Sequence, residues 1–241
     1  ALLIDLAGED EALRQGGANT ELDNPARDLT AVTVVELDFS LLGEDLVGKP
    51  IYRVVNRQLW QGERHSTLYE RLLHLADLWQ PEKIVVDASG VGAGVGSFLR
   101  DKLGEHVITL QFTRQLKSRL GWGFLAVVDT GRFQDFSPRS DPDQWSVNPL
   151  LGRMAEEQDR LQALFYRQLA GLQAEVSPGP ERLLRWSVPE GARDPEGGLL
   201  HDDLVLSAAM CAVLDEQSWH LSSQSVLIPA SDPILEMDGG F

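Results

Sequence analysis

Apolar residues in the first half of the chain fall into short β-branched runs separated by stretches with helical spacing. The elements predicted from this pattern are, in chain order, strands at 1–6, 30–39 and 50–60, a helix at 66–80, a strand at 83–89, a glycine-led helix at 90–104 and a strand at 106–112. Residues 7–29 are rich in Gly, Asn and Asp and predict a loop. The predicted order is β-β-β-α-β-α-β.

The second half of the chain shows mainly helical patterns. The predicted elements are helices at 113–131 and 152–176, a polar loop at 137–149, an edge strand at 182–188 and an apolar helix from His201 to Leu214. Residues 218–241 have no periodicity and predict an irregular tail. We therefore expect one folded domain over residues 1–217 followed by a tail at 218–241.

This order of elements indicates an α/β fold with a mixed five-stranded sheet flanked by helices. The first three strands would be antiparallel, and the next two would run parallel to the first. In one common arrangement the fourth strand lies beside the first. Asp5 on the first strand and Asp87 at the carboxyl end of the fourth would then be neighbours, at the edge where open α/β sheets generally place their sites.

The last helix opens with His201, Asp202 and Asp203 and is otherwise apolar nearly all round. One aspartate suffices to cap a helix and to meet the positive end of its dipole. A helix that is apolar on every side packs inside the domain, so its first turn can bring a third acid towards the first two. The periodicity does not select between Asp202 and Asp203.

Composition limits the classes of function. The net charge is −16, from 21 Lys plus Arg against 37 Asp plus Glu, which argues against holding nucleic acid by bulk electrostatics alone. Cys211 is the only cysteine, so we expect a reducing compartment and no cysteine-based zinc site. The sequence lacks an apolar run of about 18 residues and a signal-peptide pattern, which predicts a soluble protein that is not exported. The chain starts within a predicted strand and is expected to be a fragment of a longer polypeptide.

The candidate acids suggest metal chemistry. Bare carboxylates about 4 Å apart repel by about 4 kcal/mol at an effective dielectric constant of 20, so a cluster must bind protons or metal. Oxygen ligands without cysteine favour Mg²⁺ or Mn²⁺, and two such ions suit phosphodiester cleavage. The glycines between 90 and 96 fit no register of G-x-G-x-x-G, and GKP at 48–50 is not a phosphate loop.

Several segments taken together resemble the nuclease domain of bacteriophage large terminases. They are Asp5 in the first strand, DLTAV at 28–32, VVDASGVGAGV at 85–95, Phe112 and Thr113 with Lys117, GRF at 131–133, and HDDLVLSAAMCAV. The resemblance runs from residue 1 to about 215 and leaves the tail and the loop at 137–149 uncovered. Its order and spacing are more specific than any single motif.

The resemblance implies a ribonuclease H-like endonuclease that cleaves concatemeric viral DNA during genome packaging by two-metal-ion hydrolysis. By position, Asp5, Asp87 and Asp203 would be the acidic triad, with Asp202 as an additional ligand and Asp28 as an accessory acid. The long loop before Asp28 leaves its distance from Asp5 open. The implied partners are double-stranded DNA, an N-terminal ATPase motor, the phage portal and the small terminase subunit, in the cytoplasm of the bacterial host.

Other residues and other functions stay open at this point. His201 is a candidate ligand or proton carrier, or else a capping histidine. Arg114, Lys117 and Arg119 are candidates for contact with DNA phosphates, or else form a solvated helix face. The alternative functions are an actin-like ATP-binding protein, a Holliday-junction resolvase and a non-catalytic docking module of a packaging motor.

Overall fold

The computed structural model describes residues 1–7, 29–40, 48–137 and 149–219. Six strands form the main sheet, in the order β5-β4-β1-β2-β3-β6. They are β1 (Leu2–Asp5), β2 (Leu29–Asp38), β3 (Ile51–Gln61), β4 (Ile84–Asp87), β5 (Val107–Leu110) and β6 (Phe133–Gln134). Strands β1, β2 and β3 are antiparallel neighbours, while β4 and β5 run parallel to β1. The predicted mixed α/β sheet is confirmed, and the two-residue β6 adds a sixth strand.

Within the described residues, six α-helices cover the two faces of this sheet. They are α1 (His65–Trp79), α2 (Ala93–Leu103), α3 (Arg114–Asp129), α4 (Pro149–Gly171), α5 (Asp203–Ala209) and α6 (Cys211–Leu214). Side chains alternate along each strand, so one core layer lies under α1 and α2 and the other under α3 to α6. Leu3 and Val85 belong to the second layer. Asp5 and Asp87, each two residues further along its strand, therefore face the α3 to α6 side.

Strands β7 (Gln173–Val176) and β8 (Leu184–Ser187) form a separate antiparallel hairpin. The expected helix over 152–176 is therefore wrong at its end, because α4 stops at Gly171. A Cβ at Gly171 would run into the side chain of Leu200. The strand expected at 182–188 is present, but it pairs with β7 and is not an edge of the main sheet.

A buried arginine connects β3 to α4. Arg57 is 0% exposed, and its guanidinium donates two hydrogen bonds to Asp135, at 3.0 and 2.9 Å. The same guanidinium lies 4.5 Å from the centre of the Phe165 ring. The side-chain amide of Gln158 in α4 accepts a hydrogen bond from the Arg57 backbone N–H at 2.7 Å and donates one to the Arg57 carbonyl at 2.9 Å. The short strand β6 pairs only with Tyr52 and Arg53, so it does not reach this part of β3. These contacts hold α4 against the sheet.

Candidate functional site

Asp5 and Asp87 lie side by side at the carboxyl ends of two parallel strands. The register pairs Ile4 with Val86, so the next positions along β1 and β4 bring these two aspartates opposite each other. Adjacent strands lie about 4.8 Å apart. Both side chains are 7% exposed. The sequence placed these two residues as neighbours, and the structure has them in that position.

The turn after β4 fixes the position of Asp87. Its Oδ1 accepts a hydrogen bond from the Ser89 backbone N–H at 2.8 Å, and a short 3₁₀ turn at Gly90–Gly92 then leads into α2. Gly90 has a φ of 54°, which favours glycine. A Cβ at Gly96 would lie 2.8 Å from the Cβ of Ala88. The glycines allow α2 to pack directly against the end of the strand.

Asp203 joins this edge from the other end of the chain. It is 3% exposed, and its Oδ1 accepts a hydrogen bond from the Leu29 backbone N–H at 3.2 Å. Leu29 begins β2, just beyond the point where Asp5 pairs with Ala31. One turn further along α5, the hydroxyls of Ser207 and Thr33 lie 2.7 Å apart. The first turn of α5 is therefore attached to the strand next to β1.

Asp202 does not act as a helix cap. It occupies the N-cap position of α5, but its side chain makes no capping hydrogen bond. The N–H of Leu204 is instead bound at 3.0 Å by Oε1 of Gln168, a buried side chain of α4. Asp202 Oδ2 is buried and lies 3.6 Å from the Lys117 ammonium. Helix capping was the simple explanation for an acid at position 202. The structure shows that Gln168 of α4 caps the helix instead.

The acids interact electrostatically. Burial raises the pKa of the Asp5 carboxyl well above its usual value, and nearby charges add to the rise, in the order Asp203, Asp87 and Asp202. Burial also raises the pKa of Asp87, although hydrogen bonds from Ser89 act against this. The proximity of the acids therefore makes negative charge costly at this edge of the sheet.

The donor set suits a hard divalent cation, but it is not a finished coordination shell. Within the described ranges, no three acidic, His or Cys side chains are close enough together to form a ready metal site. Three of these acids instead contact other protein groups. Asp87 is drawn towards Ser89, Asp203 towards Leu29 and Asp202 towards Lys117.

The three basic residues predicted to contact DNA do not all lie on the same surface of α3. Arg114 and Lys117 line a groove of about 280 Å³ between α3 and the β7–β8 hairpin, together with Arg185 and Trp186. Arg119 lies outside that lining, and its side chain is 63% exposed and 3.7 Å from Glu216. The sequence did not indicate Arg185 or Trp186 as part of this region. The alternation in RLLRWSV predicts a strand, but not the surface on which it packs.

Three further predictions concern His201, Asp28 and the tail at 218–241. His201 precedes α5 and is partly exposed. Asp28 and residues 220–241 of the tail lie outside the described residues, so their roles stay predictions. In the described part of the chain, no helix is long and apolar enough to cross a membrane.

Comparison with solved structures gives a likeness in fold. The magnesium-bound crystal structure of the large terminase nuclease from thermophilic phage G20c has a TM-score of 0.53 and 14% sequence identity, over 88% of this chain and 79% of that chain. A second crystal structure of that nuclease has a TM-score of 0.52 and 15% identity, over 90% and 82% of the two chains. Neither a scan of protein-family models nor a search of curated proteins found a match. The chain has the ribonuclease H-like fold of the large terminase nuclease domain.

Proposed function

We propose that this chain is a divalent-metal-dependent endonuclease domain that hydrolyses phosphodiester bonds of double-stranded DNA. The observation that carries the proposal is the meeting of Asp5, Asp87 and Asp203 at one edge of a sheet with the terminase nuclease fold. A buried carboxylate among other carboxylates is stabilised by protonation or by a cation. The release of Asp202 from capping supports a role for that acid as well.

In this proposal Asp5 and Asp203 hold one ion, and Asp87 holds or shares a second. Asp202 is the accessory ligand, and His201 is an accessory candidate beside it. The chemistry supplied by bound Mg²⁺ or Mn²⁺ would be activation of water and stabilisation of the leaving oxygen. The solved G20c nuclease carries magnesium, which supports this choice of ion. The strands and α5 hold the carboxylates, while burial keeps bulk water away from them.

The groove beside the acids is the proposed path of the DNA backbone. Arg114 and Arg185 contribute positive charge there, on a chain whose net charge is −16. Contacts to phosphates position a duplex without reading its sequence. We therefore expect backbone binding near the acids and no strong sequence preference from this groove.

The biological setting follows from the same likeness and is part of the proposal. The domain would cut concatemeric viral DNA during packaging, in the cytoplasm of an infected bacterium. It would work with an ATPase motor domain, the portal and the small terminase subunit.

Cleavage of supercoiled plasmid DNA in Mn²⁺ tests the catalytic proposal. Asp87→Ala should lose nicking and site-specific Mn²⁺ binding, whereas Asp101→Asn, an exposed acid on α2, should keep both. Normal cutting by Asp87→Ala would refute the assignment. A nucleotide-induced rise in thermal midpoint without nuclease activity would favour the actin-like alternative, and preference for branched DNA would favour a resolvase. Mn²⁺ binding that does not depend on Asp87 would favour a docking module.

Duplex binding in EDTA tests the groove separately from cleavage. Each lost phosphate contact lowers the slope of log K against log salt by about 0.9. We expect this loss for Arg114→Gln and for Arg185→Gln. Arg119→Gln is the matched control, since Arg119 lies on the same helix but outside the groove. An equal loss in the control would reject the groove as the path of the backbone.

A further inference from the structure

The ammonium of Lys117 lies among the acids rather than in solvent. Its Nζ is 3.6 Å from Asp202 Oδ2, and the lysine side chain is only 34% exposed. Asp202 Oδ2 is itself buried and accepts no hydrogen bond, so the ammonium is the group that faces it. The charge of Lys117 also opposes the rise in pKa at both Asp5 and Asp87. One cation therefore acts on three acids at this edge of the sheet.

The β7–β8 hairpin holds the lysine in this position. The Lys117 ammonium lies 5.3 Å from the centre of the Trp186 ring, and the indole N–H of Trp186 donates to the Lys117 backbone carbonyl at 2.7 Å. A Cβ at Gly121 would collide with this indole, so the ring can pack on α3 only because that residue is glycine. A second bond, from Leu184 N to Ser118 Oγ at 2.8 Å, fastens β8 to the helix.

The Lys117 side chain also borders an open groove into which it can move. Lys117 and Trp186 both line the groove of about 280 Å³ between α3 and the hairpin. A long, flexible lysine side chain can turn into that space without movement of the backbone. The ammonium can therefore leave the acids when another positive charge arrives, and then meets the proposed path of the DNA phosphates.

We propose that Lys117 is a built-in counter-ion of the acidic cluster, which partly neutralises the acids before a divalent cation binds and is displaced by that cation. This inference rests on the proposed function. Lys117 is a positioning residue in this account, because it acts through the carboxylates and sets how tightly they bind a cation. A positive charge near the acids competes with an incoming dication. Removal of that charge should therefore tighten Mn²⁺ binding.

The test is calorimetric titration of the full chain with Mn²⁺ at pH 7.5, without DNA, on Lys117→Met and Lys117→Gln. We expect each variant to bind Mn²⁺ about tenfold more tightly than the unsubstituted chain. Both should also unfold at a lower temperature in EDTA and gain more thermal midpoint from Mn²⁺. Lys117→Arg keeps the charge and should retain the original affinity within about threefold.

Arg119→Met is the matched control. It removes a cation from the same helix, where the ion pair with Glu216 is 3.7 Å long, and Mn²⁺ affinity should not change. Equal or weaker Mn²⁺ binding by both neutral Lys117 variants would overturn the counter-ion proposal alone. An unsubstituted chain that does not bind Mn²⁺ would overturn the proposed function and this inference with it.

Discussion

Replacement of Asp5 by asparagine should stabilise the protein in the absence of metal while it abolishes cleavage. Asp5 is 7% exposed and pairs in register beside Asp87. Burial is the main cause of its raised pKa, and the charges of the neighbouring acids add to it. Asparagine has nearly the same shape and carries no charge. If Asp5 contributed to folding stability, its replacement by asparagine would destabilise the protein.

The charge of Asp87 alone sets a scale for the gain, if the two carboxylates are taken to be as far apart as adjacent strands. Two unit charges about 4.8 Å apart repel by about 3.5 kcal/mol at an effective dielectric constant of 20. The Lys117 charge offsets part of this repulsion. We therefore expect a gain of about 2 kcal/mol, which is a rise of about 4 to 8 °C in thermal midpoint for a chain of this length.

The pH dependence has a definite sign. Above a carboxyl's usual pKa of about 4, Asp5 is ionised in the unfolded chain, whereas the folded chain keeps the proton on Asp5 up to the raised pKa. Folding stability of the unsubstituted chain therefore falls as pH rises from there to the raised pKa, and then levels off. The advantage of Asp5→Asn should be full above the raised pKa and should vanish near pH 4.

Differential scanning calorimetry in EDTA at several pH values measures this difference. Asp101→Asn is the control for loss of an exposed acid and should change the midpoint little at any pH. The reasoning fails if Asp5→Asn melts below the unsubstituted chain at neutral pH, or if its advantage is the same at pH 4 as at neutral pH.

Three further outcomes are expected. Asp203→Asn should reduce Mn²⁺-dependent nicking to background, and Asp202→Asn should leave partial activity; the reverse order in a plasmid assay would make Asp202 the principal ligand. Gly96→Ala should cost about 1 to 3 kcal/mol in urea unfolding, since the new Cβ would lie 2.8 Å from that of Ala88; a neutral result would mean that α2 can shift. Arg57→Met should cost about 3 to 5 kcal/mol by the same measurement, because it leaves the Asp135 carboxylate without its counter-charge. A loss below about 1 kcal/mol would contradict a tight ion pair.

The sequence was sufficient to predict Asp5 beside Asp87, because the position of each acid on its strand is a local pattern and the β-β-β-α-β order is compatible with a common arrangement in which the fourth strand lies beside the first. It also indicated a third acid at the start of a buried helix. It did not indicate that Gln168 caps that helix, because this bond joins residues 36 positions apart through the packing of α4. The end of α4 was missed for a similar reason. Helical spacing continues past Gly171, and only the pairing of β7 with β8 overrides it.

The acidic cluster is assembled from residues that lie far apart along the chain. The hydrogen bond from the Leu29 backbone N–H to Asp203 joins residues that are 174 positions apart. During translation, β1 and β4 leave the ribosome well before α5, so a nascent chain carries two of the three acids and lacks the third. Under the proposed function, an unfinished or truncated product would be unable to cut the DNA of the cell that makes it. The topology itself would then serve as a safeguard against premature cleavage.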